Sequence, residues 1–167
     1  MPDEIRILLA IPVYDHPGTL RAVVAGALAV HDQVLVIDDG SSEAAAGLIA
    51  GLAATVVRHP ENLGKGEAIR TAARWAAERG FTHLVTMDAD GQHDPAQFPA
   101  FRSRMEASPE AVIIGVRDFG SPTVPRASRF GRAFGNFWVR VQTGLAVGDI
   151  QSGYRAYPVR AVTELTC

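Results

Sequence analysis

The segment HLVTMDADGQHDP, residues 83–95, drives a mostly apolar run (Leu84 to Met87) straight into Asp88 and Asp90, with Gly91, Gln92, His93, Asp94 and Pro95 behind them. Four consecutive residues of this kind read as a buried strand, and the polar cluster marks its carboxyl end. Two carboxylates so close repel each other and need a counter-charge. On a strictly extended chain, residues 88 and 90 fall on one face, and Gly91 lets the chain turn. A divalent cation is the simplest counter-charge: Mg2+ or Mn2+ takes a few carboxylate oxygens and completes its shell with water and phosphate. Gln92 offers a further oxygen. The bland alternative is an acidic turn capping the helix that opens at Pro95. For Asp94, just before that proline, capping is the favoured role.

Working outward, apolar strands alternate with helical segments. IRILLAI (5–11) is a strand closed by Pro12, and HPGTLRAVVAGALAVH (16–31) is a helix opening near Pro17. QVLVIDDGSS (33–42) is a strand ending in Asp38 and Asp39. EAAAGLIAGLA (43–53) reads as a helix and ATVVRH (54–59) as a strand. A long helix runs from about Glu67 to Arg79, stopped by Gly80. After the fourth strand, PAQFPAFRSRMEA (95–107) is a helix that Pro99 kinks or delays, and AVIIGVR (111–117) is a fifth strand. Beyond Arg117 the pattern weakens: a loop, an amphipathic helix RFGRAFGNFWVRVQTG (129–144) and an irregular DIQSGYRAYP (149–158). Such alternation predicts one α/β domain, Rossmann-like, with a mostly parallel central sheet flanked by helices on both faces. The polar clusters sit at strand carboxyl ends, the ligand-binding edge of open α/β sheets.

Composition narrows the class. With 167 residues, 47% hydrophobic and 20% charged, the chain can bury a core. A net charge of −2 gives no global field for nucleic acid. No apolar run approaches the roughly 20 residues that span a bilayer, and the N-terminus lacks the basic region of a secretory signal. The single cysteine, Cys167, fits a cytoplasmic setting. Lys65 is the one lysine; arginines, among them Arg117, Arg126, Arg129, Arg132 and Arg140, crowd the C-terminal third. Arginine forks suit phosphate, although arginine is equally read as the preferred surface cation.

Two further stretches admit two readings each. NLGKGEAI (62–69) flanks Lys65 with glycines at a helix start, a seat for phosphate or an ordinary glycine turn; it lacks the spacing of a Walker A loop. VIDDGSS (36–42) carries acids where α/β folds contact ribose or base, or a plain cap by Ser41 or Ser42 with both acids solvated.

Taken in order, AIPVYDHPGTL, VLVIDDGSS, NLGKGEAIRTA, LVTMDADGQHDP, IIGVR, SRFGRAFGN and GDIQSGYRAYP resemble the inverting family 2 glycosyltransferases of the glycosyltransferase-A fold, most of all the dolichol- or polyprenyl-phosphate sugar synthases. The likeness covers about Ile5 to Pro158. It implies transfer of a hexose from a nucleotide-diphosphate sugar, GDP-mannose or UDP-glucose, to an acceptor such as a polyprenyl phosphate at the inner membrane face. Residues 1–117 would form the nucleotide-sugar half and 118–167 the acceptor half, truncated at its C-terminus. Pro12, Tyr14, Asp15, Asp38, Asp39 and Lys65 match donor-contacting positions. Asp88, Ala89 and Asp90 match the Asp-x-Asp motif for metal and diphosphate, with Gln92 a further ligand of Mg2+ or Mn2+. Arg117, Arg129 and Arg132 are implied to meet the acceptor phosphate, with Ser152 and Arg155 in the acceptor segment. Asp149 is its acidic candidate, required as a base only if the acceptor is a hydroxyl; Asp90 and Arg117 complete the implied catalytic set. The chain departs from many members at Asp15-His16, where Asn-Glu is common.

Two rivals stand beside this. Asp-x-Asp-Gly after a strand also resembles haloacid-dehalogenase-type phosphatases, with Asp88 as nucleophile, but Gln92 is no hydroxyl and no lysine follows Lys65. A nucleotide-sugar-binding module without turnover is the other. Histidines 16, 31, 59, 83 and 93 are assigned to surface or turns, with His93 the one nearest the acids. Phe130, Phe134, Phe137 and Trp138 read as a core face, or else as a face lying against a membrane.

Overall fold

In the computed structural model, residues 4–116 and 152–164 are described. The chain divides into two units, Met1–Ile113 with Tyr154–Cys167, and Ile114–Gly153. The first unit carries β1 (Ile7–Val13), α1 (Pro17–Val30), β2 (Val34–Asp38), α2 (Ala45–Leu48), β3 (Thr55–Arg58), α3 (Lys65–Glu78), β4 (His83–Thr86), a 3-10 turn (Pro95–Gln97) and α4 (Phe98–Ala107). It ends with β6 (Arg155–Pro158) and α5 (Val159–Thr163); the short β5 is Ile113–Ile114. The sheet order is β3-β2-β1-β4-β6-β5. β1 pairs in parallel with β2 and β4, β2 with β3, and β6 runs antiparallel to β4.

Both faces of the sheet are covered, as continuous apolar strands require. All five residues of β2 are buried. On one face Leu9, Ile11 and Val13 pack against Leu20, Val24 and Ala27 of α1, whose buried positions recur at helical spacing. On the other, Leu8, Ala10, Leu35 and Ile37 meet Ala68, Ala72, Ala73 and Ala76 of α3. Four alanines there allow the α3 backbone to lie close to the sheet. Each fully buried Leu or Ile contributes about 1.5–3 kcal/mol.

Several expectations are corrected. β1 does not close at Pro12 but runs through it, with Pro12 in register with Ile37. Leu9 N donates to Gln33 O and Val13 O accepts from Asp39 N on the β2 side, whereas Ala10 O accepts from Met87 N on the β4 side. Alternation therefore turns the Pro12 nitrogen toward β4, beyond the last paired residue, Thr86, so its missing N–H costs no ladder bond. α2 is a single turn, because Arg21 Nη1 takes the carbonyls of Leu48 and Ala50 and Gly51 follows at positive φ. α3 starts at Lys65, two residues early. Pro99 lies in the first turn of α4, after the separate 3-10 turn, so it delays that helix and does not kink it. The irregular DIQSGYRAYP contains a strand: Tyr154, Ala156 and Pro158 are buried, alternating with Arg155 and Tyr157. The amphipathic helix of 129–144 lies outside the described residues.

Candidate functional site

At the carboxyl edge of β1, β2 and β4, within the first unit, is a cavity of about 380 Å³. Tyr14, Asp39, Lys65, Asp88 and Asp90 line it, with Pro12 and Ala89. Four segments distant in sequence thus converge where parallel strand ends place them.

β4 ends at Thr86, so Asp88 and Asp90 lie beyond it and strand alternation does not orient them. A turn does. Thr19 Oγ1, from α1, donates to the Ala89 carbonyl at 2.6 Å. Asp90 Oδ1 accepts from Gln92 N at 2.9 Å. Gly91 has φ +77, a conformation that L side chains adopt at a cost. The counter-charge for Asp88 comes from the chain itself: Lys65 Nζ pairs with its Oδ1, and His93 Nε2 lies 3.8 Å from Oδ2. Burial alone would raise the Asp88 pKa, but the bonds and charges of His93 and Lys65 outweigh it and hold the carboxyl at about 2. Asp94 accepts from Ala96 N at 2.9 Å, the cap expected of it.

Asp38 and Asp39 are not solvated; they are 0% and 3% exposed. Asp38 accepts from Ser41 N and Ala45 N, each at 2.9 Å, and from Arg58 Nη1 at 2.6 Å. It builds the turn after β2 and does not line the cavity. Burial pushes its pKa up, yet the Ala45 and Ser41 amides, the Ser41 hydroxyl and Arg58 keep it below the usual carboxylate range. Asp39 faces the cavity and fastens the loop before α3, accepting from Leu63 N (3.0 Å) and Gly64 N (2.8 Å). Its Oδ1 also lies 2.6 Å from His59 Nδ1, and His59 Nε2 lies 2.9 Å from Thr71 Oγ1. Against the opposing effect of burial, His59 and the two amides lower the Asp39 pKa. An ionised carboxylate only accepts, so the hydrogen sits on Nδ1.

Asp15, at φ 52, bonds Ser42 N at 2.7 Å, and its own amide donates to Ser41 Oγ. It lines a neighbouring hollow of about 320 Å³ with His16, Ser41 and Glu43. Arg155 stands in register with Thr86, at the same sheet edge as the acids. Gln92 is exposed and is not among the residues lining the cavity. Ser152 is buried and belongs to the second unit. Arg117, Arg129, Arg132 and Asp149 lie outside the described residues.

His59 and His83, expected at the surface or in turns, are buried; His83 Nε2 lies 2.9 Å from the Pro109 carbonyl oxygen. Thr19 and His59 are the positioning residues that sequence reading missed. Neither carries a local signal, because their partners are 70 and 20 residues away.

The comparisons fit this geometry. Among solved structures, glucosyl-3-phosphoglycerate synthase from Mycobacterium tuberculosis, in complex with Mn2+, UDP and phosphoglyceric acid, superposes with a TM-score of 0.71 at 17% identity, covering 93% of this chain and 56% of that one. Mannosyl-3-phosphoglycerate synthase from Rubrobacter xylanophilus gives 0.72 at 17%, covering 94% and 54%. These likenesses establish the glycosyltransferase-A fold. Residues 9–165 match the glycosyl transferase family 2, and the chain belongs to that family. It is 32% identical to undecaprenyl-phosphate mannosyltransferase of Micrococcus luteus over 166 residues, covering 91% of this chain and 66% of the relative. It is 31% identical to polyprenol monophosphomannose synthase of Mycolicibacterium smegmatis over 163 residues, covering 91% and 61%. The chain therefore spans less than two thirds of the length of either relative. Family membership sets the phosphatase resemblance aside.

Proposed function

We propose that the chain is the catalytic part of a metal-dependent inverting glycosyltransferase that moves a hexose from a nucleotide-diphosphate sugar, GDP-mannose or UDP-glucose, to a polyprenyl phosphate. The observation that carries this is the convergence of Tyr14, Asp39, Lys65, Asp88 and Asp90 on one cavity at the sheet's carboxyl edge. Two carboxylates on a pinned turn suit Mg2+ or Mn2+, which need few protein oxygens when phosphates supply the rest. Asp88 and Asp90 would hold the ion, with Gln92 reaching it only by turning inward. When bound, the ion supplies charge neutralisation to the departing diphosphate.

The chain's own groups do the remainder. Tyr14 and Asp39 border the nucleoside end, Asp15 reaches it from the adjoining hollow, and Lys65 with the first amides of α3 faces the phosphates. The acceptor side falls to residues 118–167, the donor side to 1–117. Arg129, Arg132 and Arg155 of the acceptor side, with Arg117 at the boundary, would position an acceptor that is already an anion, so orientation matters more than a strong base. Asp149 would serve as base only toward a hydroxyl. Among the described residues no helix is long and apolar enough to cross a membrane; work at the cytoplasmic membrane surface follows from a lipid acceptor.

The test is thermal shift with GDP and UDP, with and without Mn2+, beside transfer of labelled sugar to polyprenyl phosphate. One diphosphate should stabilise the protein only with metal, and Asp90→Ala should abolish the shift. Metal-independent stabilisation would count against the reading. Binding without transfer would favour a nucleotide-sugar-binding module.

A further inference from the structure

We propose that Lys65 is the resident counter-ion of Asp88, displaced when a divalent cation enters, so that cation and nucleotide diphosphate each bind weakly alone and strengthen one another. This rests on the reading of Asp88 and Asp90 as cation ligands.

Lys65 Nζ is paired with Asp88 Oδ1, the oxygen that faces it across the cavity both residues line. The two partners differ in freedom. The turn carrying Asp88 is pinned on both sides, by Met87 N to Ala10 O at 3.0 Å and by Thr19 Oγ1 to Ala89 O at 2.6 Å. Lys65 has its backbone fixed just upstream, where Gly64 N donates to Asp39, but its side chain is 52% exposed against 23% for Asp88. The lysine stem is the part that can swing.

A carboxylate oxygen that accepts an ammonium must release or share it to ligate a metal, and the ammonium and a dication repel inside a half-enclosed cavity. His93, 3.8 Å from Oδ2, is the other neighbour that stabilises the Asp88 carboxylate, and it offers a displaced ammonium no anion. Cation binding alone therefore breaks an ion pair and strands Lys65 beside a positive charge. A diphosphate removes that cost, since its oxygens give the ammonium a new anionic partner. By linkage the same factor must appear in both directions: cation tightens nucleotide as much as nucleotide tightens cation. Lys65 thus guards the acidic turn against loading without donor.

The experiment titrates Mn2+ into the purified chain, reading free Mn2+ by electron paramagnetic resonance, with and without GDP or UDP and corrected for Mn2+ held by nucleotide in buffer. Wild type should bind Mn2+ at least tenfold more tightly with the matching diphosphate. Lys65→Met should bind at least fivefold more tightly than wild type without nucleotide, with the coupling reduced at least threefold from wild type and the remainder left by phosphate oxygens on the ion. Lys65→Arg, which keeps the charge, should behave as wild type, and circular dichroism should show all three folded. If Lys65→Met gains no affinity while Asp90→Ala loses Mn2+ binding, the counter-ion inference falls and the metal site stands. Coupling that persists undiminished in Lys65→Met overturns it as well. Absence of Mn2+ binding in every form, with nucleotide and without, sinks the metal reading and this inference together.

Discussion

Gly40→Ala tests how the cavity at the carboxyl edge of the sheet is held together. Gly40 follows the two buried acids at φ +75, and a Cβ placed on it would stand 2.5 Å from the Glu61 carbonyl carbon and 2.8 Å from Asn62 N. Both are backbone atoms, so no side chain can give way. The turn of β2 and the Glu61–Asn62 segment would have to part by about 1 Å to reach ordinary contact. A non-glycine residue in the left-handed region costs about 1–2 kcal/mol. Separation also strains the amides of Leu63 and Gly64 away from the Asp39 carboxylate; losing one hydrogen bond to a charged group costs about 1.5–3 kcal/mol. The expected destabilisation is about 3–5 kcal/mol, out of a total of about 5–15 for a domain. At roughly 2–4 °C per kcal/mol for a chain of this size, the Tm should fall by about 6–20 °C. Urea denaturation reads it directly, as a lowered midpoint at unchanged slope. Gly47→Ala is the control: it lies in α2 with nothing within 4 Å, and should be neutral or stabilising by up to about 1 kcal/mol. A Gly40→Ala protein within 1 kcal/mol of wild type would refute the claim that these backbones are locked together.

Three other outcomes are expected. Thr19→Val should destabilise by about 1–2 kcal/mol through the orphaned Ala89 carbonyl and weaken Mn2+-dependent nucleotide binding, measured by calorimetry, because the acidic turn loses its pin. Asp38→Ala should cost about 3 kcal/mol in urea unfolding, since it strands two amides and Arg58, which at 41% exposed retains some solvent; a ligand-only role would leave unfolding unchanged. Asp88, with a folded pKa of about 2 against 3.8 for the free side chain, contributes stability that is full above pH 3.8 and lost as pH falls toward 2. The shift corresponds to about 2 kcal/mol, so the stability gap between wild type and Asp88→Asn should shrink by that amount between pH 6 and pH 2, and a gap independent of pH would contradict it.

The strand-and-helix alternation was legible because each element is locally consistent: α1 places Leu20, Val23, Val24 and Ala27 on one stripe, and the mostly apolar β4, buried throughout, stops just before its acids. The convergence on one sheet edge followed from parallel topology alone. What escaped was settled by distant partners. VIDDGSS left a ligand contact and solvated acids equally open; burial of Asp38 and Asp39 depends on Arg58 and His59, at the far end of the next strand. The lone lysine suggested a phosphate seat, and only the fold shows it lying on Asp88. In YRAYP the period-two pattern was present, but a terminal proline and an arginine disguised a strand.

Pro12 sits in a central strand, where a proline is ordinarily a fault. Its ring removes the one donor that could have bridged to the chain leaving β4 after Met87. The two strands therefore share no bond at that level, and Pro12 lines the cavity that opens at their carboxyl ends. An opening written into the chain need not be wedged apart by whatever enters it, so any ligand's affinity would not be diminished by unzipping a sheet.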